Sequence, residues 1–283
     1  MGSSIKDLKK YGFSTDNKVY VIAEIGLNHG GDINAAKRLI DSAARTGVDA
    51  VKFQTYLTEK RVAKNSPIFG ILKKCELPFD AFQGLKAYAE TYSIEFLSTP
   101  FDEESVDFLE SINCALYKVA SFDVVNYKLL SKIADTKKTI IMSVGMANLS
   151  EIEEAFKILN NKTKNLAILH CISAYPTKEE DANLSAVYTL KEKFDCVIGQ
   201  SDHTNGIVVP LYAVATGAQI IEKHYKIDEN MNCVDAPVSI SEEQMKELIG
   251  KIRKLEKILG GGELGIKEAE VGCKIFRRNN KIQ

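Results

Sequence analysis

The four histidines of this chain each stand at or just after the end of a short apolar run. They are His29, His170, His203 and His224. If these runs are parallel strands of one barrel, all four imidazoles lie at the same mouth, and (β/α)8 barrels carry their chemistry at the C-terminal ends of the strands. The histidines therefore predict a functional site at that mouth. His170 has no further cue and is interpreted as structural.

Two of these histidines are spaced for a shared metal ion. His203 and His224 follow the last two apolar runs, which are neighbours in a closed barrel, so both imidazoles could reach one divalent cation. Glu222 shares the face of His224 and Asp202 adjoins His203, and either could orient a ligand. The alternative is that both histidines are structural and hydrogen-bonded within the fold.

Two lysines and several hydroxyls indicate an anion site at the same level. Lys52 and Lys118 lie inside apolar runs, and a buried cation needs an anionic partner, unless each lysine extends from a strand edge into water. Glu24 is a candidate for moving protons or for an ion pair with Lys52. Hydroxyl groups that could donate to an anion end or follow the runs: Ser98, Thr99, Ser121, Ser143, Ser173 and Ser201. The set predicts a pocket for a small, highly charged anion.

The elements that must position these residues recur along the chain. Eight apolar, β-rich segments alternate with helix-length segments, at 19–26, 49–54, 94–100, 115–121, 139–145, 166–171, 196–202 and 218–224. Strands separated in this way are parallel with right-handed crossovers, and eight such units close into a barrel. We therefore predict an α/β fold, a (β/α)8 TIM barrel.

Helix signals support one domain. Asp32 is predicted to cap a helix that reaches Arg45, Ser150 to cap the helix that follows it, and a last helix covers 241–259. The whole chain, 1–283, is predicted to be a single barrel domain, with 1–18 as an N-terminal extension and 260–283 as a tail. The longest connection, 57–78, follows the second strand and is expected to be functional because it lies at the catalytic mouth.

The composition narrows the classes of partner. Of 283 residues, 37 are basic and 38 acidic, so no global field would attract nucleic acid or an anionic membrane. The six cysteines show no CxxC spacing, which indicates reduced thiols. No apolar run is long enough to span a bilayer and the N-terminus lacks an apolar signal region. A cytoplasmic protein is expected.

The short motifs at the ends of the predicted strands together match a known family pattern. In chain order they read IAEIGLNHGGD, VKFQTY, FLSTPFD, YKVAS, SVGM, LHCISAYP, SDHT and EKHY. Over about residues 19–278 the chain resembles the sialic acid synthase family. Members of that family condense phosphoenolpyruvate with an N-acetylated hexosamine, such as N-acetylmannosamine, and release a nonulosonic acid and phosphate.

The resemblance implies a role for particular residues. Phosphoenolpyruvate would be held by Lys52, Thr99, Lys118, Ser121, Ser143, Ser173 and Ser201. His203 and His224 would bind a divalent metal, commonly manganese, with magnesium or cobalt as alternatives. The sugar would face Gln54, Tyr175 and Asp235, and the reacting carbons would lie near Glu24 and Asp123.

The chain also departs from the family pattern. Ser173 stands where several relatives have asparagine, Asp123 replaces the usual glutamate, and Cys233 and Val234 precede Asp235 where many relatives have glycine and proline. Relatives continue past the segment 276–278 into an antifreeze-like domain that crosses a dimer, and this sequence ends at 283. A homodimer is expected, with a separate antifreeze-like partner as the alternative.

Three functions are compatible with the residues. The first is the synthase. The second is a metal-independent barrel aldolase that uses Lys52 or Lys118 to form a Schiff base. The third is a phosphoenolpyruvate-binding half-enzyme that needs a separate C-terminal partner. We favour the synthase, because clustered hydroxyls suit a phosphate better than a neutral carbonyl.

Overall fold

Eight parallel strands form a closed barrel in chain order, as the sequence predicts. The computed structural model describes residues 6–13 and 18–278. The strands are β1 (Tyr20–Gly26), β2 (Ala50–Thr55), β3 (Glu95–Pro100), β4 (Leu116–Val119), β5 (Thr139–Ser143), β6 (Leu166–Cys171), β7 (Val197–Asp202) and β8 (Ile220–His224). The predicted (β/α)8 TIM barrel is confirmed.

Helices connect successive strands and cover the outside of the barrel. They are α1 (Ile33–Ala44), α2 (Thr58–Arg61), α3 (Phe69–Cys75), α4 (Phe79–Glu90), α5 (Glu103–Ser111), α6 (Tyr127–Asp135), α7 (Leu149–Asn160), α8 (Ala186–Lys193), α9 (Val208–Ala215) and α10 (Glu242–Leu259). The long connection after β2 contains α2 and α3 as well as α4. Arg61 and Ile68 of this connection line the cavity at the mouth where the strands end.

The strands read as continuous apolar runs because both of their faces are buried. On β1, Val21 and Ala23 pack outward in the core beneath the helices, whereas Tyr20 and Ile22 point into the barrel. Successive side chains of a strand alternate between the two faces. The same alternation brings Glu24, two residues after Ile22, to the inside.

The lower half of the barrel interior is apolar and is closed from below by the N-terminal segment. A 3₁₀ turn at Leu8–Tyr11 places Leu8 and Phe13 in one cluster with Tyr20 and Ile22. From the sequence, residues 1–18 were predicted only to form an N-terminal extension. Residues 1–5 and 14–17 of that extension, and residues 279–283 of the predicted tail, lie outside the described residues. Residues 8–13 thus seal the mouth opposite the histidines.

The strand register sets the height of the polar side chains. Glu24 on β1 pairs with Lys52 on β2 and with His224 on β8. Ser201 on β7 pairs with Glu222 on β8. These partners across adjacent strands bring their side chains together inside the barrel, with Glu222, the register partner of Ile22, one inward position below His224 on β8.

Local expectations are confirmed in part. Asp32 caps α1 as predicted, accepting from the amide of Asn34. The prediction that Ser150 caps the next helix is wrong: Asn148 is the cap, in a capping box with Glu151. All six cysteines are unpaired. Within residues 6–13 and 18–278, no helix combines the length and the apolarity needed to cross a bilayer.

Candidate active site

Four charged side chains form a buried layer inside the barrel. Lys52 Nζ lies 3.0 Å from Glu24 Oε2 and 3.6 Å from Glu222 Oε1. Lys118 Nζ lies 3.5 Å from the same Glu222 oxygen. All four residues are at most 4% exposed. Two lysines and two carboxylates are thereby balanced in charge, as buried ions require.

The two lysines differ electrostatically because they have different neighbours. Burial disfavours the charge of Lys52, but Glu222 and Glu24 outweigh it and raise the pKa of Lys52. Burial lowers the pKa of Lys118. The charge of Glu222 only partly offsets the effect of burial, and repulsion from Lys52 lowers the pKa further. Burial also opposes ionisation of Glu222, yet Lys118 and Lys52 together lower its pKa. Glu222 is therefore an ionised partner shared by both lysines.

Hydroxyl groups surround this charged layer. Thr99 Oγ1 accepts a bond of 3.3 Å from Lys52 Nζ, and Ser201 Oγ donates to Glu222 Oε1 at 2.9 Å. The buried Ser143 Oγ has no partner among the described residues. Ser121 Oγ accepts from the amide of Gly145 at 2.9 Å. Thr99 and Ser143 thus keep hydroxyl hydrogens that could reach a bound anion, whereas Ser201 gives its only hydrogen to Glu222.

Gly145 permits the close approach of two of the serines. A Cβ at this position would lie 2.4 Å from Ser173 Oγ and 3.0 Å from Ser121 Oγ. Both distances are shorter than ordinary contacts. The β5 exit therefore requires a glycine so that the serine hydroxyls from the β4 and β6 exits can sit beside it.

A cavity of about 330 Å³ opens above the charged layer. Its volume lies at the lower end of the range for small-molecule sites. Most of the residues singled out in the sequence line it: Glu24, Lys52, Gln54, Thr99, Lys118, Ser121, Ser143, Tyr175, Ser201, His203, His224 and Asp235. The two lysines and the two metal candidates thus converge on one cavity.

Besides Ser98, whose Oγ donates to the carbonyl oxygen of Phe53 at 3.2 Å, two predicted site residues stand outside the cavity wall. Asp123 lies in a 3₁₀ turn after β4, where its Oδ1 accepts from Asn126 Nδ2 at 3.0 Å. Its Oδ2 is buried and has no partner among the described residues. Ser173 follows β6 and its Oγ lies 3.9 Å from Cys171 Sγ. The structure brings neither side chain into the lining, although both adjoin it.

His203 and His224 face each other at the rim. Their ring centroids are 5.4 Å apart, and Tyr175 packs 4.1 Å from the His203 ring. His203 Nδ1 lies 2.8 Å from the carbonyl oxygen of Ile172. A carbonyl can only accept, so Nδ1 of His203 carries the hydrogen of this bond, and Nε2 is the ring nitrogen left for a ligand.

His203 and His224 could together offer two imidazole ligands to a divalent metal. His224 Nδ1 has no hydrogen-bond partner among the described residues, although Asp235 Oδ2 lies 3.4 Å away. Burial opposes a charge on His224, but Asp235 and Glu24 outweigh it and raise its pKa. The field that favours a proton here also favours a metal cation. Within the described chain no group of three or more ligand side chains is assembled, so a metal bound by these two imidazoles would need water or substrate at its remaining positions, with one protein ligand fewer than catalytic zinc sites usually have.

The residues expected to face a sugar, Gln54, Tyr175 and Asp235, line the same cavity and are held by separate contacts. Gln54 Nε2 donates to Glu24 Oε1 at 3.1 Å. Asp235 is fixed by its own amide, which donates to Asn28 Oδ1 at 2.8 Å. Gly26 has a φ of 53°, and a Cβ there would lie 2.8 Å from Asp235 Oδ2. The glycine therefore allows Asp235 to approach β1.

Three lining residues were missed or underrated in the sequence. Glu222 was considered only as an orienter of His224, although its two-residue spacing from that histidine already placed it inside the barrel. Cys171, also on an inward position, lies 3.7 Å from His203 Nδ1. Arg61 at the end of α2 also lines the cavity, and only the unusual length of the 57–78 connection pointed to this segment.

Comparison with known proteins agrees with the fold and identifies the family. A family model described as NeuB family matches residues 39–264. The crystal structure of an N-acetylneuraminic acid (sialic acid) synthetase from Leptospira borgpetersenii serovar Hardjo-bovis, in complex with citrate, is similar with a TM-score of 0.90 and 42% identity, over 92% of this chain and 91% of that chain.

Two relatives of named activity cover most of the sequence. The N,N'-diacetyllegionaminic acid synthase of Campylobacter jejuni is 41% identical over 262 residues, which are 87% of this chain and 78% of that protein. The N-acetylneuraminate-9-phosphate synthase of Mus musculus is 33% identical over 268 residues, 90% of this chain and 75% of that protein. The similar proteins thus share a product class, nonulosonic acids.

Proposed function

The chain belongs to the NeuB family, and from this premise we propose that it condenses phosphoenolpyruvate with an N-acetylated hexosamine to give a nonulosonic acid and phosphate. The observation that supports this most strongly is the convergence of Lys52, Lys118, His203 and His224 on one cavity. That cavity offers cations and hydroxyls at its floor and imidazoles at its rim. The relatives' names are consistent with the product.

The floor of the cavity suits phosphoenolpyruvate. The proposed ligands of its phosphate and carboxylate oxygens are Lys52, Thr99, Lys118, Ser121, Ser143, Ser173 and Ser201. Charged donors form the stronger hydrogen bonds to such oxygens. Before substrate binds, however, Glu24 and Glu222 already balance the two lysines, so an anion with several charges needs further positive charge at the site.

A divalent metal on His203 and His224 would supply that charge. We propose manganese, with magnesium or cobalt as alternatives. When bound, the metal would act as a Lewis acid that polarises the aldehyde oxygen of the open-chain sugar. Asp235, 3.4 Å from His224 Nδ1, would orient the imidazole, as carboxylates commonly do beside metal ligands.

The chemistry consists of one bond formed, one water added and one bond broken. The enol carbon of phosphoenolpyruvate attacks C1 of the sugar, and the aldehyde oxygen gains a proton. Water adds to the resulting cationic C2 of the former phosphoenolpyruvate and loses one proton. The new C2 hydroxyl then gives up its second proton to phosphate as the C2–O bond breaks, which leaves a C2 ketone and a phosphate that keeps the bridging oxygen. Lysine and hydroxyl donors stabilise the charge that moves onto phosphate.

Two carboxylates are proposed to serve the proton transfers. Glu24 Oε2 lies 3.0 Å from Lys52 Nζ and accepts no hydrogen bond from a described residue, so this oxygen could accept one from a bound substrate. Its Oε1 is fixed by Gln54. Asp123, whose pKa is raised by burial against the opposing effects of Asn126 and Arg61, is the second proposed group near the reacting carbons.

Isotope-traced turnover tests the proposal. Phosphoenolpyruvate labelled with ¹⁸O at the bridging position is incubated with manganese and a panel of N-acetylated hexosamines, and phosphate is analysed by mass spectrometry. We expect acceptor-dependent release of phosphate that retains the label. Unlabelled phosphate, or release without an acceptor, would refute the proposed reaction. Covalent labelling by pyruvate and borohydride would instead support a Schiff-base aldolase.

A further inference from the structure

A buried ion pair lies behind the two histidines at the rim. Lys223 directly precedes His224, and Asp202 directly precedes His203. The two side chains are 0% and 1% exposed, and Lys223 Nζ donates to Asp202 Oδ2 at 2.6 Å. Because Glu222 and His224 line the cavity and successive side chains of a strand alternate between its faces, Lys223 points to the outer side of the barrel. The pair therefore lies outside the cavity, one residue before each proposed metal ligand.

Stability alone does not account for an ion pair at this place. Both ions lose their hydration, and apolar side chains of similar volume are often equally stabilising at such positions. The carboxylate is nevertheless fully used: Gln200 Nε2 donates to Asp202 Oδ1 at 3.2 Å, and Thr204 Oγ1 donates to Asp202 Oδ2 at 2.9 Å. Buried polar groups are best attested where they specify one arrangement of the chain. The arrangement within reach of this pair is that of the segment around His203.

Lys223 binds the chain on both sides of His203. Its Nζ donates to the side chain of Asp202, the residue before His203, and to the carbonyl oxygen of Thr204, the residue after it. The pairing between β7 and β8 ends with Asp202 and Lys223, so His203 lies one residue beyond it. His224, in contrast, is the last residue of β8 and is paired with β1. The ammonium group thus ties the segment after β7 to the strand that carries His224.

The loop after β6 is joined to the same segment. The amide of Thr177 donates to the carbonyl oxygen of His203 at 2.9 Å, and Thr177 forms a parallel bridge with Thr204. Two residues earlier in this loop, Tyr175 places its ring centroid 4.1 Å from that of His203. A shift of the segment after β7 would therefore move an imidazole and an aromatic ring of the cavity together.

We propose that Lys223 is a positioning residue, which fixes the His203 imidazole opposite His224 so that the two rings present a preformed pair of ligands to one divalent cation. This inference rests on the proposed function, whose metal site it concerns. In this role Lys223 touches neither substrate nor metal. It acts through the chain on either side of His203, in the way that outer contacts of metal sites orient the ligands.

Binding of Mn²⁺ by a neutral pair tests this role. Lys223→Met alone would leave Asp202 as a buried charge without its cation and would destabilise the fold. The test therefore uses the double variant with Asp202→Asn and Lys223→Met. Asparagine still accepts from Gln200 and Thr204, whereas methionine cannot donate to the Thr204 carbonyl. We expect the free energy of unfolding to stay close to that of wild type, and Mn²⁺ to bind about 10-fold to 100-fold more weakly.

Free Mn²⁺ is measured by electron paramagnetic resonance, at a temperature where denaturation curves show each protein to be folded. Lys138→Met is the matched control. Lys138 also pairs with a carboxylate and a carbonyl, Glu110 at 2.8 Å and Cys114 at 2.7 Å, but it directly precedes β5, at the opposite mouth. This variant should bind Mn²⁺ as wild type does, whatever stability it loses. His203→Ala identifies the site, because it should lose the binding.

The outcomes separate the two proposals. Wild-type affinity for Mn²⁺ in the double variant would overturn the inference, and so would binding that survives in His203→Ala or no binding by wild type. In turnover, the double variant should need about 10-fold to 100-fold more manganese for its half-maximal rate. A wild type that binds Mn²⁺ through His203 but releases no phosphate would refute the proposed function, whereas weaker binding by the double variant would still support the role of Lys223.

Discussion

Glu222 is the side chain on which the charge balance of the two buried lysines depends. Its Oε1 lies 3.5 Å from Lys118 Nζ and 3.6 Å from Lys52 Nζ. Removing one partner from a buried ionic group is costly, because the remaining charges stay in a medium that solvates them poorly. The same carboxylate therefore stabilises the fold and keeps the cationic floor assembled in the absence of substrate.

We predict that Glu222→Gln lowers the free energy of unfolding by about 3 kcal/mol, since the amide cannot compensate the lysines. Chemical denaturation at neutral pH measures the change. The matched control is Glu229→Gln, which alters an exposed carboxylate paired with Lys226 at 2.7 Å and should change stability by less than about 1 kcal/mol. Equal stability of Glu222→Gln and wild type would show that the lysines do not depend on this partner.

At the residue scale, the sequence located most of the site but could not complete it. Lys52, Lys118, His203 and His224 were found because strand exits of a barrel share one mouth. Arg61 was not found, because its place in the cavity depends on the path of the connection between β2 and α4, and a loop path follows no simple periodicity. The positions of Asp123 and Ser173 beside the wall depend on local turns in the same way.

At the scale of elements, the turn between β1 and α1 contains a buried neutral histidine. His29 Nδ1 accepts from the amide of Gly31 at 3.1 Å. Burial lowers the pKa of His29 from 6.5 to about 4, against the opposing charges of Asp235 and Asp32. The unfolded chain therefore binds a proton here at a pH where the folded chain does not. The contribution of His29 to the free energy of unfolding is greatest above pH 6.5, and it decreases as the pH falls towards 4.

We predict that His29→Asn reduces the pH dependence of stability. Between pH 7.5 and 5.0, wild type should lose about 2 kcal/mol of unfolding free energy more than the variant, because asparagine can accept a hydrogen bond but does not titrate. Urea denaturation of both proteins at the two pH values measures the difference, and all other titrating groups cancel in the comparison. Parallel losses in both proteins would exclude a depressed pKa for His29.

The elements themselves were largely predictable. Eight apolar segments correspond to the eight strands because strands buried on both faces carry unbroken apolar runs. Helix starts were less certain: Ser150 and Asn148 are both suitable caps, and the reciprocal bonds between Asn148 and Glu151 decide in favour of Asn148. Which of two suitable residues becomes the N-cap depends on the angle at which the backbone enters the helix. The residue types alone do not specify that angle.

At the scale of the whole molecule, the two mouths of the barrel have separate tasks. Residues 8–13 close the lower mouth, where Phe13 packs against Tyr20 at a ring-centroid distance of 5.3 Å. The upper mouth holds the cavity. Such a division is typical of this fold. The polar composition of the N-terminal segment gave no sign of this role, because only Leu8 and Phe13 carry the packing.

We predict that Phe13→Ala lowers the free energy of unfolding by about 3–5 kcal/mol, because it leaves a cavity in the barrel floor. At temperatures where the protein stays folded, turnover should not change, since Phe13 lies at the opposite mouth. Thermal denaturation and steady-state kinetics measure the two effects. Leu264→Ala, at a fully exposed position, is the control and should be neutral. Loss of turnover in folded Phe13→Ala would contradict the separation of the two mouths.

The predicted homodimer stays a prediction. Apolar side chains at the C-terminal end of the described chain are exposed, among them Leu264, Ile275 and Phe276. Analytical ultracentrifugation would determine whether the protein associates through this or another surface. The chemistry proposed above depends only on groups within the barrel.

The most direct test of the account is manganese-dependent phosphate release from phosphoenolpyruvate by His203→Ala and His224→Ala, with His29→Asn as the control at the same mouth. We expect wild type and His29→Asn to require manganese and an acceptor sugar. Each alanine variant should lose activity by about a hundredfold or more, because Lewis-acid stabilisation is worth several kcal/mol. Undiminished, manganese-dependent turnover in both alanine variants would contradict the claim that these imidazoles hold the metal in a shared active site.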